Sequence, residues 1–107
     1  MRALGRSLSV LLALSSWSCA TAHRPATVSI AIVNLEYVPA EATARVGDIV
    51  EWSNRDVLDH TATATAGGWR AEIPAGQTRT IVMQNAGVFD YYCEYHPNMK
   101  AKLVVTK

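Results

Sequence analysis

Cysteine is scarce in this chain, with two among 107 residues, Cys19 and Cys93. No Cys-x-x-Cys pair is present, so a cysteine-rich zinc site has no framework. An iron–sulfur cluster would generally need more cysteines than the chain can offer. Charge of one sign is also lacking: ten Lys and Arg stand against nine Asp and Glu, for a formal charge of +1. With no basic cluster outside the two ends, a nucleic-acid footprint is excluded. No apolar run is long enough to cross a bilayer as a permanent helix. Internal repeats, low-complexity segments and capped 3.6-residue periods are missing too, which leaves no helical signal. The length fits one domain and leaves no room for a second, catalytic one.

The N-terminus reads as a secretory signal. Arg2 and Arg6 supply a positive start, and Leu8-Ser9-Val10-Leu11-Leu12-Ala13-Leu14 is a short apolar run. Ala20-Thr21-Ala22 then offers small residues at the cleavage spacing, which places the cut before His23. The expected division is therefore a signal peptide over 1–22 and one domain over 23–107, in a periplasmic or otherwise exported protein. A rival reading lipidates Cys19, but Ser16-Trp17-Ser18 matches the bacterial lipoprotein pattern poorly. The arginines are not adjacent, so a twin-arginine signal has no support. Cleavage would remove Arg2, Arg6 and Cys19 and leave Cys93 alone. A lone cysteine in an oxidising compartment forms no internal disulfide; it is buried, reactive or metal-bound.

From Thr27 onward the chain alternates in the two-residue period of strands. Val28 to Val33, Ala42 to Val46, Ile49 to Ser53, His60 to Ala64, Thr78 to Gln84, Val88 to Cys93 and Lys102 to Thr106 read as strands. Gly47-Asp48, Gly67-Gly68, Pro74-Ala75-Gly76 and Asn85-Ala86-Gly87 punctuate them. Many short strands with regular turns predict an all-β sandwich or barrel. Val50 and Trp52 share one face, with Glu51 opposite. Ile81 and Met83 share another, so Met83 is assigned to the core. Half of the residues are hydrophobic, yet a domain this small is marginal without extra help, and a bound metal is one form of help.

The chemistry concentrates in Cys93-Glu94-Tyr95-His96-Pro97-Asn98-Met99, where cysteine, histidine and methionine stand three residues apart. A tight turn at that spacing brings a thiolate, an imidazole and a thioether toward one point. Phe89, Tyr91 and Cys93 alternate onto the same strand face, with Asp90 and Tyr92 on the other, which aims the thiol inward. A fourth ligand must come from elsewhere. After the cut only His23, His60 and His96 remain, and His60 opens a strand behind the polar loop Asn54 to Asp59, a natural place at the rim. Two imidazoles, one thiolate and a weak axial methionine form the set assigned to electron-transfer copper. Zinc would favour a further Cys, His or carboxylate over a thioether. The expected metal ligands are thus His60, Cys93, His96 and Met99. They fill the coordination sphere of one copper ion, leaving a substrate no open position and the protein no enzymatic role. Taken singly, Cys93 and Met99 would read as core and His60 as a loop histidine; together they form a constellation.

These residues resemble the cupredoxin, or blue-copper, family, and within it the amicyanin and plastocyanin-like proteins. Val46-Gly47-Asp48-Ile49-Val50-Glu51-Trp52-Ser53-Asn54 is similar to the family's run into the first histidine ligand, and Ala86 to Lys100 to its ligand loop. The short Cys-x-x-His-x-x-Met spacing is that of amicyanin. The resemblance implies a Greek-key β-sandwich, a type 1 copper, and a soluble, monomeric one-electron carrier of the periplasm. It makes His60 the first ligand, Cys93 the thiolate, His96 the second imidazole and Met99 the axial ligand. Redox partner proteins would dock transiently near His96. Tyr92 matches a plastocyanin position that offers a second route, although an exposed strand tyrosine would look the same. One departure stands out: those relatives usually place asparagine after the first histidine, tying the two ligand segments together, and this chain has Thr61. Asp59 and Glu94 are expected to put negative charge beside the ligands.

Two other functions compete. A copper-binding protein for carriage or storage, with no electron-transfer role, could use the same ligands; colour and a reversible redox wave separate the two. An oxidative enzyme could grip copper through the α-amine and ring of His23, but it would need another free histidine. His23 is expected to belong to a frayed terminus.

Overall fold

The computed structural model describes residues 23–107 throughout and, before them, 3, 5, 7 and 9–14. Arg2, Arg6, Cys19 and the expected cleavage site lie outside the described residues. Among those described, no helix is long and apolar enough to cross a membrane.

Among the described residues nine strands follow in order: β1 (Thr27–Val33), β2 (Glu36–Val38), β3 (Glu41–Arg45), β4 (Ile49–Asn54), β5 (His60–Ala64), β6 (Arg70–Ile73), β7 (Thr78–Val82), β8 (Gly87–Tyr92) and β9 (Lys100–Thr106). They form two sheets, β2-β1-β4-β7 and β3-β9-β8-β5-β6. The pairs β1/β4 and β3/β9 are parallel and the others antiparallel. The chain repeatedly changes sheets, as in the Greek-key sandwich that the family resemblance implies. Two strands went unpredicted, β2 and β6, because three and four residues are too few to display a period.

Alternation is what drives the two sheets together. Along β4, Val50, Trp52 and Asn54 point inward; along β9, Leu103 and Val105 do. Their facing neighbours, Ile30, Ile32, Ile73, Met83 and Tyr91, complete the core. Met83 is buried as expected, with Ile81 packed against it. Trp52 sits at the centre, edge-on to Tyr91 with centroids 5.9 Å apart and beside Trp69 at 5.6 Å. A buried Trp of this size removes a large apolar area from water, so this cluster dominates the core's energetics.

His23 is held in place. His23 Nε2 lies 2.8 Å from Asp48 Oδ1, and Arg45 donates to His23 Nδ1 at 2.9 Å. Asp48 also accepts the Ala26 and Arg45 amides. These three hydrogen bonds, with the backbone amides first, pull its carboxyl from 3.8 down to about 2. The expectation for His23 fails because Asp48, in the turn between β3 and β4, lies beside the entry of β1 in the fold.

Candidate metal centre

The site is built at one end of the sandwich. β8 and β9 are adjacent and antiparallel, with Tyr92 opposite Lys100, so residues 93–99 are simply the connection between them. Cys93 N–H donates to Met99 C=O at 3.0 Å, and Met99 N–H to His96 C=O at 2.8 Å, which curls the connection into a tight loop. Cys93 continues the inward face of Phe89 and Tyr91 and is fully buried. His60 is the first residue of β5, next to β8 in the same sheet. It was expected at the rim, yet its side chain is entirely shielded. His96 is half-buried, and Met99 is buried where β9 begins.

The structure brings together three of the four expected ligands by direct geometry. The ligand atoms of His60, Cys93 and His96 lie within 4.8 Å of one another. Cys93 Sγ is 3.7 Å from His60 Nδ1 and 3.7 Å from His96 Nδ1. Two metal bonds of about 2.1 Å to nitrogen and about 2.3 Å to sulfur, opened by about 115°, span that distance. The donor set and its spacing therefore fit a small soft-to-borderline ion, and softness with two imidazoles favours copper. Met99 closes the loop that carries His96 and lines a groove with it.

His60 and Cys93 are each oriented by a partner. His60 Nε2 lies 2.8 Å from Asp56 Oδ2; the ring N–H donates there, which leaves the Nδ1 lone pair facing Cys93. Burial opposes ionisation of Asp56, but hydrogen bonds from Leu35 N–H, the His60 ring and Asn34 N–H outweigh it and hold the carboxyl below its usual range. The loop carrying Asp56 is shaped by buried Asn54, whose amide donates to Leu58 C=O at 2.8 Å and Ile73 C=O at 3.0 Å while its oxygen accepts Asp56 N–H. Thr61 donates its N–H toward Cys93 Sγ at 3.4 Å and accepts Glu94 N–H on Oγ1 at 2.9 Å. Tyr37 donates its hydroxyl to Thr61 C=O, closing the cage from the opposite sheet. Burial pushes the Tyr37 phenol well above its ordinary range, and Tyr91 up to about 12, so both stay neutral.

Asp56 was missed by the sequence reading, which placed negative charge at Asp59 and Glu94. Asp59 instead accepts Ala75 N–H at 2.9 Å. Glu94 is paired with Arg70 Nε at 2.6 Å, and Arg70 also reaches Glu72 at 2.8 Å. The only hint of Asp56 was its position four residues before His60 in a polar loop. Tyr92 is half-buried and lines a separate groove with Asp90, Pro97 and Lys100.

Comparison with known proteins agrees with this geometry. Residues 6–105 match the family described as Cupredoxin-like domain. Amicyanin of Paracoccus versutus is 32% identical over 93 residues, covering 80% of this chain and 70% of that protein. Amicyanin-alpha of Methylorubrum extorquens is 27% identical over 85 residues, covering 74% and 71%. Among solved structures, an oxidised amicyanin mutant superposes with a TM-score of 0.66 at 28% identity, over 74% of this chain and 81% of that one. A copper(I) form of another amicyanin mutant gives 0.64 at 27%, with the same coverage.

Proposed function

Since the chain belongs to the cupredoxin-like family and resembles amicyanin within it, we propose that it is a type 1 copper protein that passes single electrons between partner proteins. The observation that carries the reading is the equal 3.7 Å spacing of both histidine Nδ1 atoms from one buried thiol. His60, Cys93 and His96 would hold the ion, with Met99 as a weak axial sulfur. Copper would supply a reversible one-electron couple; the chain's residues do everything else.

What they do is hold a cage that resists change. His60 and Cys93 are fully buried, so water is kept from the sulfur and one imidazole. Asp56 fixes the His60 ring, and the Thr61 N–H steadies the thiolate from a third direction. Ligands held this firmly move little between oxidation states, which keeps electron transfer fast. His96 is the half-buried member, the least shielded of the three, and borders a groove of about 310 Å³ lined by Leu35, Pro97, Asn98 and Met99. Leu35, Leu58 and Val57 stand exposed on neighbouring loops. An apolar surface around one half-buried ligand suits transient docking of redox partners at His96. Export to the periplasm after cleavage before His23 is part of the same proposal, supported by the sequence pattern of 1–22, with lipidation of Cys19 as the lesser alternative.

Copper(II) added to the purified protein should produce an intense blue absorption and an EPR spectrum with a small copper hyperfine splitting. Cyclic voltammetry should show a reversible wave. A colourless complex without a wave would instead mean copper carriage or storage. Cys93→Ser should abolish the blue band, and an undiminished band would refute the assignment.

A further inference from the structure

The turn between β1 and β2 breaks the usual rule for its type. Val33 pairs with Glu36, so Asn34 and Leu35 alone form a two-residue hairpin loop. Both have positive φ, 51° and 63°. A turn of this kind favours Asn followed by Gly, because an ordinary side chain is strained there. Leucine occupies the glycine position. Something outside the hairpin must hold it, and that is again Asp56: its Oδ1 accepts Asn34 N–H at 2.7 Å and its Oδ2 accepts Leu35 N–H at 2.9 Å. Successive amides converging on an anion form a concave nest that a carboxylate fills well.

The same Oδ2 receives the His60 ring N–H. One carboxylate is therefore shared between a buried ligand of the cage and a strained surface turn. Leu35 is 43% exposed and forms a wall of the groove beside His96. A glycine, with no side chain, would leave that wall absent, and a polar residue would leave it without its apolar character. The turn tolerates the leucine because Asp56 satisfies both of its amides.

We infer that Asp56 is a positioning residue that couples the metal cage to the outer surface: by holding His60 and the Asn34-Leu35 turn together, it keeps Leu35 against the His96 groove and transmits occupancy of the cage to that groove. The inference rests on the reading of His60 as a metal ligand. Metal on Nδ1 fixes the His60 ring and makes its Nε2–H a stronger donor, which anchors Asp56 more firmly, and through it the two turn amides. The strained turn is the bistable element, since without its acceptor the leucine has every reason to leave the left-handed region.

The test is NMR of the purified protein, metal-free and loaded with zinc(II) or copper(I), both of which are diamagnetic. Metal should slow solvent exchange of the Asn34 and Leu35 amides by about threefold or more beyond the change at Thr43 and Val104 on the remote β3/β9 edge. In Asp56→Ala that excess slowing should vanish while zinc still binds at the cage, seen as shifts of the His96 ring and Cys93 resonances. Should Asp56→Ala not fold, Asp56→Asn keeps the size of the side chain but offers one acceptor in place of two, and should weaken the effect. Unchanged slowing in the folded variant overturns the coupling. So does a wild-type protein that binds metal with its turn unaffected. A wild-type protein that binds neither metal overturns the cage itself, and the two failures are thereby distinguished.

Discussion

Thr61 Oγ1 accepts the Glu94 backbone N–H at 2.9 Å, joining residues 33 positions apart in the chain. The family resemblance leads to the expectation of an asparagine in this role, and here a shorter side chain makes the tie. The first histidine's strand and the start of the ligand loop are pinned together just outside the cage.

Removing that acceptor should therefore be costly despite the small change in volume. Thr61→Val keeps the shape but leaves Glu94 N–H without its partner, and the expected loss is about 1–3 kcal/mol. Thr61→Ser, which retains the oxygen, should lose less than half as much. Urea unfolding of the metal-free forms checks this, and equal losses for the two variants would show that packing, not the hydrogen bond, matters here.

The charge near the ligand loop belongs to a pair. Arg70 faces Glu94 at 2.6 Å, so the carboxylate's influence on the metal is largely offset. At low salt, Arg70→Gln should lower the midpoint potential, because the uncovered carboxylate favours the more positive oxidation state. Glu94→Gln should raise it, and the double variant should fall between. Shifts of the same sign in both single variants would refute the offset. Tyr95 and Glu72, which join the same network, should leave the sign unchanged.

Acid should weaken the far end of the sandwich through Asp48. Its folded carboxyl titrates at about 2, below the ordinary 3.8, so it binds fewer protons in the folded state than in the unfolded one. The stability this lends is complete above about pH 4 and is lost as pH falls toward about 2. Asp48→Asn should be less stable at pH 7 and should lose less between pH 4 and pH 2 than the parent. Denaturant midpoints across that range give the comparison, and parallel curves would exclude Asp48 as the cause.

Metal removal should lower stability without erasing the fold. Trp52, Tyr91, Ile30 and Leu103 build a core that needs no ion, so the metal-free protein should keep its β-sheet circular dichroism. Copper at a thousandfold excess over its dissociation constant should add about 4 kcal/mol, or about 15–30 °C in Tm for a domain of this size. A metal-free protein that is unfolded would mean that the ligands, not the core, hold the sandwich together.

How much of this could be read along the chain depends on range. Seven strands declare themselves by alternation, a property of neighbours two residues apart. Cys93, His96 and Met99 declare themselves by a local spacing, and His60 by its place at a strand start. β2 and β6 are too short to carry a period, and they exist because β1 and β5 offer edges to pair with. Missing β6 hid Arg70, and with it the partner of Glu94.

The sequence by itself determined an all-β sandwich or barrel, the inward aim of Cys93 and the kinds of atom available to a metal, because these follow from alternation and from side-chain chemistry. Only the tertiary structure decided which carboxylate touches His60, that Thr61 bridges two ligand segments, and that His23 is tied down. Those are contacts between residues four to thirty-three positions apart. Chain order places no constraint on them until two sheets close over a common core and bring their loops to the same end.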